Sequence, residues 1–156
     1  MSFYQRHLPH LQRDFRVHFL TFATYLRRPL PPWARSIVLT SCRFYEDRKY
    51  YLMAAVVMPD HVHLLLNPKV VDSAVVSIEN ITRSIKSYTA HAINRELNRQ
   101  GTVWQEESFD HVVRRGNFSE KLDYVLQNPV RKSLVTLWRN YAWCYCHPDC
   151  LPPGKL

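Results

Sequence analysis

The sequence has no long apolar run. Nowhere does it approach the ~20 consecutive apolar residues that a membrane span needs, so no membrane-spanning role is expected. Residues 1–14 are polar and basic and lack an apolar h-region, so no secretory signal is expected and the expected compartment is cytoplasmic. The four cysteines are then expected to be reduced, and they do not form two separated C-x-x-C pairs. Acidic residues are few, 13 Asp and Glu against 21 Lys and Arg, leaving a formal charge of +8. That excess points to polyanions, nucleic acid first and an anionic membrane surface second, although an inert basic surface is common enough that charge alone decides little. Internal repeats, low-complexity segments and signs of a second domain are also missing. What remains is 156 residues, 46% hydrophobic and 13% aromatic, which fits one folded domain with a sizeable core (residues 1–156, core about 13–138, extension 139–156) and excludes a disordered chain.

Aromatic and basic residues are interleaved, as in Phe15-Arg16, Tyr25-Leu26-Arg27-Arg28 and Trp138-Arg139. Single-stranded nucleic acid is bound by that mixture, since bases stack and phosphates pair with cations.

The alternation of Phe15, Val17 and Phe19 with Arg16 and His18 predicts a first strand over 15–24, with His18 on a strand face. Prolines 29, 31 and 32 suit a helix start, and a helix is expected over about 31–46, with Cys42 in the core. Residues 50–58 are nearly continuously apolar, as in a central strand covered on both faces. A Pro59-Asp60 turn and a third strand over 61–66 complete a hairpin. Asp72 or Ser73 is the expected cap of a long helix reaching about Arg99, with Ile78, Ile81, Ile85, Tyr88, Ala92 and Ile93 on its apolar face and Gly101 closing it. Arg83, Lys86, Arg95 and Arg99 lie mostly off that face, either as a solvated basic surface or as a rail for a nucleic-acid backbone. A fourth strand is expected within about 107–114. A further helix starts at Asn117 or Ser119 and is ended or kinked at Asn128-Pro129. The order β-α-β-β-α-β-α predicts an α+β, ferredoxin-like sandwich, an antiparallel sheet with helices packed on one face, and a surface extension over 140–156.

The centre of this pattern is Val56-Val57-Met58-Pro59-Asp60-His61-Val62-His63-Leu64-Leu65-Leu66. Because strands have a side-chain period of two, His61 and His63 share a face. They can serve as two legs of a divalent metal site; the plainer alternative is a half-buried strand with two surface histidines. Tyr124 and Asn128 are four residues apart and lie one helical turn from each other; by pattern alone they read as an aromatic of core or surface and a helix C-cap. The tail holds Cys144, Cys146, His147 and Cys150, a C-x-C-H-x-x-C cluster too tight to wrap readily around one tetrahedral ion, so reduced, semi-exposed thiols are expected in preference to a zinc site.

Met58-Pro59-Asp60-His61-Val62-His63-Leu64-Leu65 resembles the His-hydrophobic-His signature of the HUH endonucleases. Ser84-Ile85-Lys86-Ser87-Tyr88-Thr89-Ala90, Ile93-Asn94-Arg95, Val103-Trp104-Gln105, Phe109-Asp110-His111-Val112-Val113-Arg114 and Asp123-Tyr124-Val125-Leu126-Gln127-Asn128-Pro129-Val130-Arg131 resemble successive blocks of the REP-associated tyrosine transposases, in order over about residues 13–138. The resemblance implies that His61, His63 and Asn128 bind Mg²⁺ or Mn²⁺, with Asn128 where related transposases carry a Gln. It also implies that Tyr124 attacks the scissile phosphate of hairpin-bearing single-stranded DNA (REP-like repeats) and leaves a 5′-phosphotyrosine. A nucleoid-associated protein, monomeric or homodimeric, is implied with it. A neutral Asn is a weaker ligand for a hard cation than a carboxylate. Tyr has a free pKa near ~10 and needs activation by positive charge or a base; Lys86, Arg114 and His111 are candidates by type, and with Arg83 and Arg95 they are the candidate DNA-binding residues. His111 reads equally as a strand-packing histidine, and Trp104 more naturally as a core residue than as a base reader. The alternatives are a catalytically silent hairpin DNA- or RNA-binding protein, and a basic structural protein whose His-x-His is incidental.

Overall fold

The computed structural model describes residues 15–151. Its framework is a five-stranded antiparallel sheet. The strands are β1 (His18–Thr24), β2 (Tyr50–Val57), β3 (His61–Pro68), β6 (Trp104–Val112) and β7 (Cys144–Cys146), in the order β6-β1-β3-β2-β7. Between β3 and the next helix lies a small hairpin of β4 (Val70–Val71) and β5 (Ala74–Val75). The helices are α1 (Pro32–Phe44), α2 (Ile78–Glu96), α3 (Phe118–Leu126) and the single turn α4 (Asn128–Arg131). The first four long strands stand in the ferredoxin-like arrangement that the sequence predicts.

Local chemistry accounts for the element boundaries. Pro32 opens α1, where its missing N–H costs nothing. The expected caps Asp72 and Ser73 instead form the β4–β5 turn; both have positive φ, 51° and 67°, as a tight hairpin turn requires. The cap of α2 is Ser77, whose hydroxyl accepts from the Asn80 N–H at 3.1 Å. The helix stops before Gly101: Leu97 is the C-cap and Asn98 turns left-handed (φ 48°), a conformation Asn tolerates. Thr89 rather than Tyr88 completes the buried face of α2; Tyr88 is exposed.

The sheet is covered on both faces, which corrects the expectation of helices on one face. Leu20, Phe22, Val62, Leu64 and Leu66 pack against α1 and α2 through Ala34, Val38, Ile81, Ile85 and Ile93. On the other face Val17, Phe19 and Leu65 pack against Phe118, Leu122, Val125 and Leu126 of α3. A bulge in β2 between Leu52 and Ala54 adds to this second core, because Met53 and Ala54 both turn towards α3. Residues 140–151 are not a surface extension either; the rest of that expected extension, 152–156, lies outside the described residues. They supply edge strand β7, pairing Cys144 with Val56 and Cys146 with Ala54, and they bury Tyr141 and Cys150. Tyr141 donates its hydroxyl to the Val57 carbonyl at 2.6 Å. No helix among the described residues is long and apolar enough to cross a membrane.

Candidate functional site

The hairpin turn before β3 closes with the Met58 N–H donating to the His61 carbonyl at 2.8 Å. It starts β3 in the phase that turns His61 and His63 towards α3. Their ring centres are 4.7 Å apart. Each ring is held through Nδ1. His61 Nδ1 lies 2.7 Å from Asp60 Oδ1, and Arg27 approaches the other Asp60 oxygen at 3.5 Å. His63 Nδ1 lies 2.8 Å from Thr21 Oγ1, its direct partner across the β1–β3 ladder. With Nδ1 engaged in both rings, the nitrogen that each can offer to a metal is Nε2. Phe19 stacks on His63 at 5.1 Å. His63 is 7% exposed, and burial, helped by the charges of His61, Arg131 and Lys121, pushes its pKa down to about 3, so the ring stays neutral and able to ligate.

Helix α3 lies over this pair. Its buried stripe, Leu122, Val125 and Leu126, fixes its rotation and leaves Tyr124 on the open side, 45% exposed. The Tyr124 ring meets Phe19 at 6.0 Å and His63 at 6.1 Å between centres. The chain keeps helical geometry through Gln127 and restarts at α4, with Pro129 in its first turn, so Asn128-Pro129 kinks the path without ending it. Asn128 is thereby buried, its side-chain amide 3.4 Å from His61 Nε2. His61 Nε2 and the Asn128 amide meet beside the His63 ring, and a turned amide would present Oδ1 to His61. That donor set suits a divalent cation that completes its shell with oxygen from water and phosphate. Among the described residues, no three His, Cys, Asp or Glu side chains gather into a metal-holding group, the tail cluster included. In that tail Cys144 and Cys146 are half-buried and Cys150 is buried; burial pushes the thiols of Cys144 and Cys146 up to about 12 and that of Cys150 up as well.

Two cations absent from the candidate set lie against Tyr124. The Arg131 guanidinium is 4.2 Å from the ring centre and donates to the Tyr124 carbonyl at 2.6 Å; Lys121 Nζ is 5.1 Å from the ring centre. The signal for them was helical spacing: Lys121 is three residues before Tyr124 and Arg131 three after Asn128. Thr21 carried no local signal, because only strand register brings it to His63.

The five candidate DNA-binding residues are distributed over three places. His111 and Arg114 line a cleft of about 790 Å³ together with Asn117, Lys121, Tyr124 and Arg131. Arg83 and Lys86 line a groove between α2 and β6, on the opposite face of the sheet. There Lys86 Nζ donates to the carbonyls of Gln105, Glu106 and Glu107 at 2.9, 3.2 and 3.3 Å, and burial lowers its pKa; it is not brought to Tyr124. Arg95 lies in a groove between α1 and α2. Trp104 is a core residue, donating its indole N–H to Thr89 Oγ1 at 2.9 Å. His18 is a strand-face residue 2.7 Å from Asp110.

Residues 12–128 match the family model described as "Transposase IS200 like". The chain is 27% identical over 122 residues to a curated protein of Haemophilus influenzae named as a REP-associated tyrosine transposase, covering 74% of this chain and 68% of that one. Its fold matches a solved REP-associated tyrosine transposase bound to a REP hairpin, with a TM-score of 0.69 at 20% identity over 88% of this chain and 85% of that one. It also matches a solved transposase-like protein of Deinococcus radiodurans, with a TM-score of 0.51 at 20% identity over 70% of this chain and 87% of the other. With its histidine pair, its tyrosine helix and most of its sheet inside the matched span, the chain belongs to the IS200-like transposase family.

Proposed function

We propose that this protein is a metal-dependent endonuclease and strand transferase for single-stranded DNA bearing hairpins, working through a 5′-phosphotyrosine on Tyr124. The observation that carries the reading is the convergence of Tyr124, His61, His63 and Asn128 on one side of the sheet, with the tyrosine ring 6.1 Å from that of His63 and Asn128 3.4 Å from His61. His61, His63 and Asn128 are the residues that would hold Mg²⁺ or Mn²⁺. When bound, such an ion supplies Lewis-acid polarisation of a phosphoryl oxygen and neutralises developing charge.

The chain's own residues account for the rest. Asp60 and Thr21 fix the two imidazoles before substrate arrives, so little reorganisation is left for the reaction. Lys121 and Arg131 set positive charge against the Tyr124 ring, beside the place where the scissile phosphate would be attacked. Tyr124 Oη forms a bond to the scissile phosphorus as the bond to the 3′ oxygen breaks. The phenol loses its proton, the 3′ oxygen gains one, and the phosphodiester energy is kept for rejoining. The cleft beside Tyr124 carries Arg114, Lys121 and Arg131, offset in part by Glu120 and Asp123, and these cations are the groups that would receive the backbone phosphates. The hairpin preference rests on the similarity to REP-associated tyrosine transposases.

The test is covalent trapping of labelled hairpin DNA with a single-stranded flank, with Mn²⁺, on a denaturing gel. A metal-dependent protein–DNA adduct that Tyr124→Phe abolishes while binding persists is the expected result. Binding without an adduct over a varied hairpin set would overturn the reading in favour of a catalytically silent hairpin binder.

A further inference from the structure

On edge strand β6, Phe109 and His111 sit two positions apart and face the same side as Tyr124. Their ladder partners across β1 are Thr21 and Phe19, which turn towards that side with His63. The two rings lie within 11° of parallel with centres 6.3 Å apart. Phe109 is 57% exposed, yet its ring is not loose: it meets Phe19 edge-on at 6.5 Å, and Phe19 in turn meets Tyr124. Between them, on the opposite face, Asp110 holds His18 at 2.7 Å, which ties this part of the edge strand to β1. His111 also lines the cleft with Arg114, Lys121, Tyr124 and Arg131. A single exposed aromatic needs no explanation. Here, two parallel ring faces stand beside a cleft whose lining holds Arg114, Lys121 and Arg131 as well as Glu120 and Asp123, and together they offer the two things a single strand requires, flat surfaces for bases and cations for phosphates.

We propose that Phe109 and His111 form a base-stacking platform for unpaired nucleobases flanking the phosphate presented to Tyr124. The proposal rests on the reading of the cleft as the DNA site and adds where the bases go. Bases inside a duplex are already stacked on one another, so the platform engages only the flank and favours substrates in which a single strand adjoins a hairpin.

The experiment uses the full chain and two hairpins, one with a flank carrying 2-aminopurine and one without a flank, and compares wild type with Phe109→Ala, His111→Ala and Phe109→Trp. Wild type is expected to quench the 2-aminopurine on binding. Phe109→Ala is expected to lose the quenching and to bind the flanked hairpin about 10- to 100-fold more weakly. His111→Ala should weaken it in the same direction, Phe109→Trp should retain binding, and the flankless hairpin should not distinguish the variants. Circular dichroism checks that the alanine variants remain folded. Absent quenching in wild type, or equal losses on both hairpins, overturns the platform. If wild type still forms the tyrosine adduct while the alanine variants quench normally, the platform falls and the nuclease stands; quenching lost in the variants with no adduct in wild type gives the reverse.

Discussion

His61 and His63 are the same side chain two positions apart, and their surroundings separate them. A carboxylate, Asp60, orients His61; a hydroxyl, Thr21, orients the more deeply buried His63. Because a carboxylate bonded to a ligand's other ring nitrogen fixes the tautomer and raises ligand basicity, Asp60→Ala should weaken Mn²⁺ binding about 10- to 100-fold, read by electron paramagnetic resonance titration. His63 also gives the metal-free protein a pH dependence. Its folded pKa, about 3, lies below the ordinary value of 6.5. Between those two values the unfolded chain binds a proton that the folded chain does not, so stability falls as pH falls, by up to about 1.4 kcal/mol per unit. Urea denaturation of the metal-free protein across that range should show the decline, and His63→Asn should flatten it relative to wild type.

Among the elements, β7 is the one whose contribution sequence patterning hid. Three residues, Cys144–Cys146, are too short for a period to register, and the Cys-rich spelling drew attention to metals. The strand exists because β2 would otherwise present a bare edge, and its pairing is reinforced by the Val57 N–H donating to the Trp143 carbonyl at 2.9 Å. Ending the chain after Trp138 should therefore destabilise the fold, and the melting temperature should fall by several degrees in calorimetry. A smaller probe of the same region is Tyr141→Phe, which strands the buried Val57 carbonyl and should cost about 1–3 kcal/mol in urea denaturation. The kink between α3 and α4 belongs to this scale as well. Patterning marked Asn128-Pro129 as a break; the packing of α3 makes that break turn Asn128 towards His61.

For the whole molecule, the formal charge of +8 is a poor guide until it is divided between faces. Arg114, Lys121 and Arg131 gather at the Tyr124 cleft, whereas Arg83 and Lys86 lie across the sheet and Arg95 between the other two helices. Each cleft cation that neutralises a phosphate of a single strand contributes about −0.7 to the slope of log affinity against log salt. Arg114→Ala should therefore make the slope shallower by about that amount, whereas Arg95→Ala should leave it unchanged. Fluorescence anisotropy with single-stranded DNA over a salt series measures both.

The sequence alone determined the ferredoxin-like order of strands and helices, the common face of His61 and His63, and the spacing of Tyr124 and Asn128, because all of these follow from periods of two and 3.6 and from proline punctuation. It could not determine the rest, because the rest depends on residues far apart in the chain. Strand register decided that Thr21 and Phe19 meet His63. The side of the sheet chosen by α3 decided that Tyr124 stands over the histidines, and that Lys86, close to it by residue type, stands on the far face. Pairing at the edge of β2 decided that Cys144–Cys146 belong to the sheet. Local patterns carry periodicity, and only the closed sheet converts periodicity into neighbours.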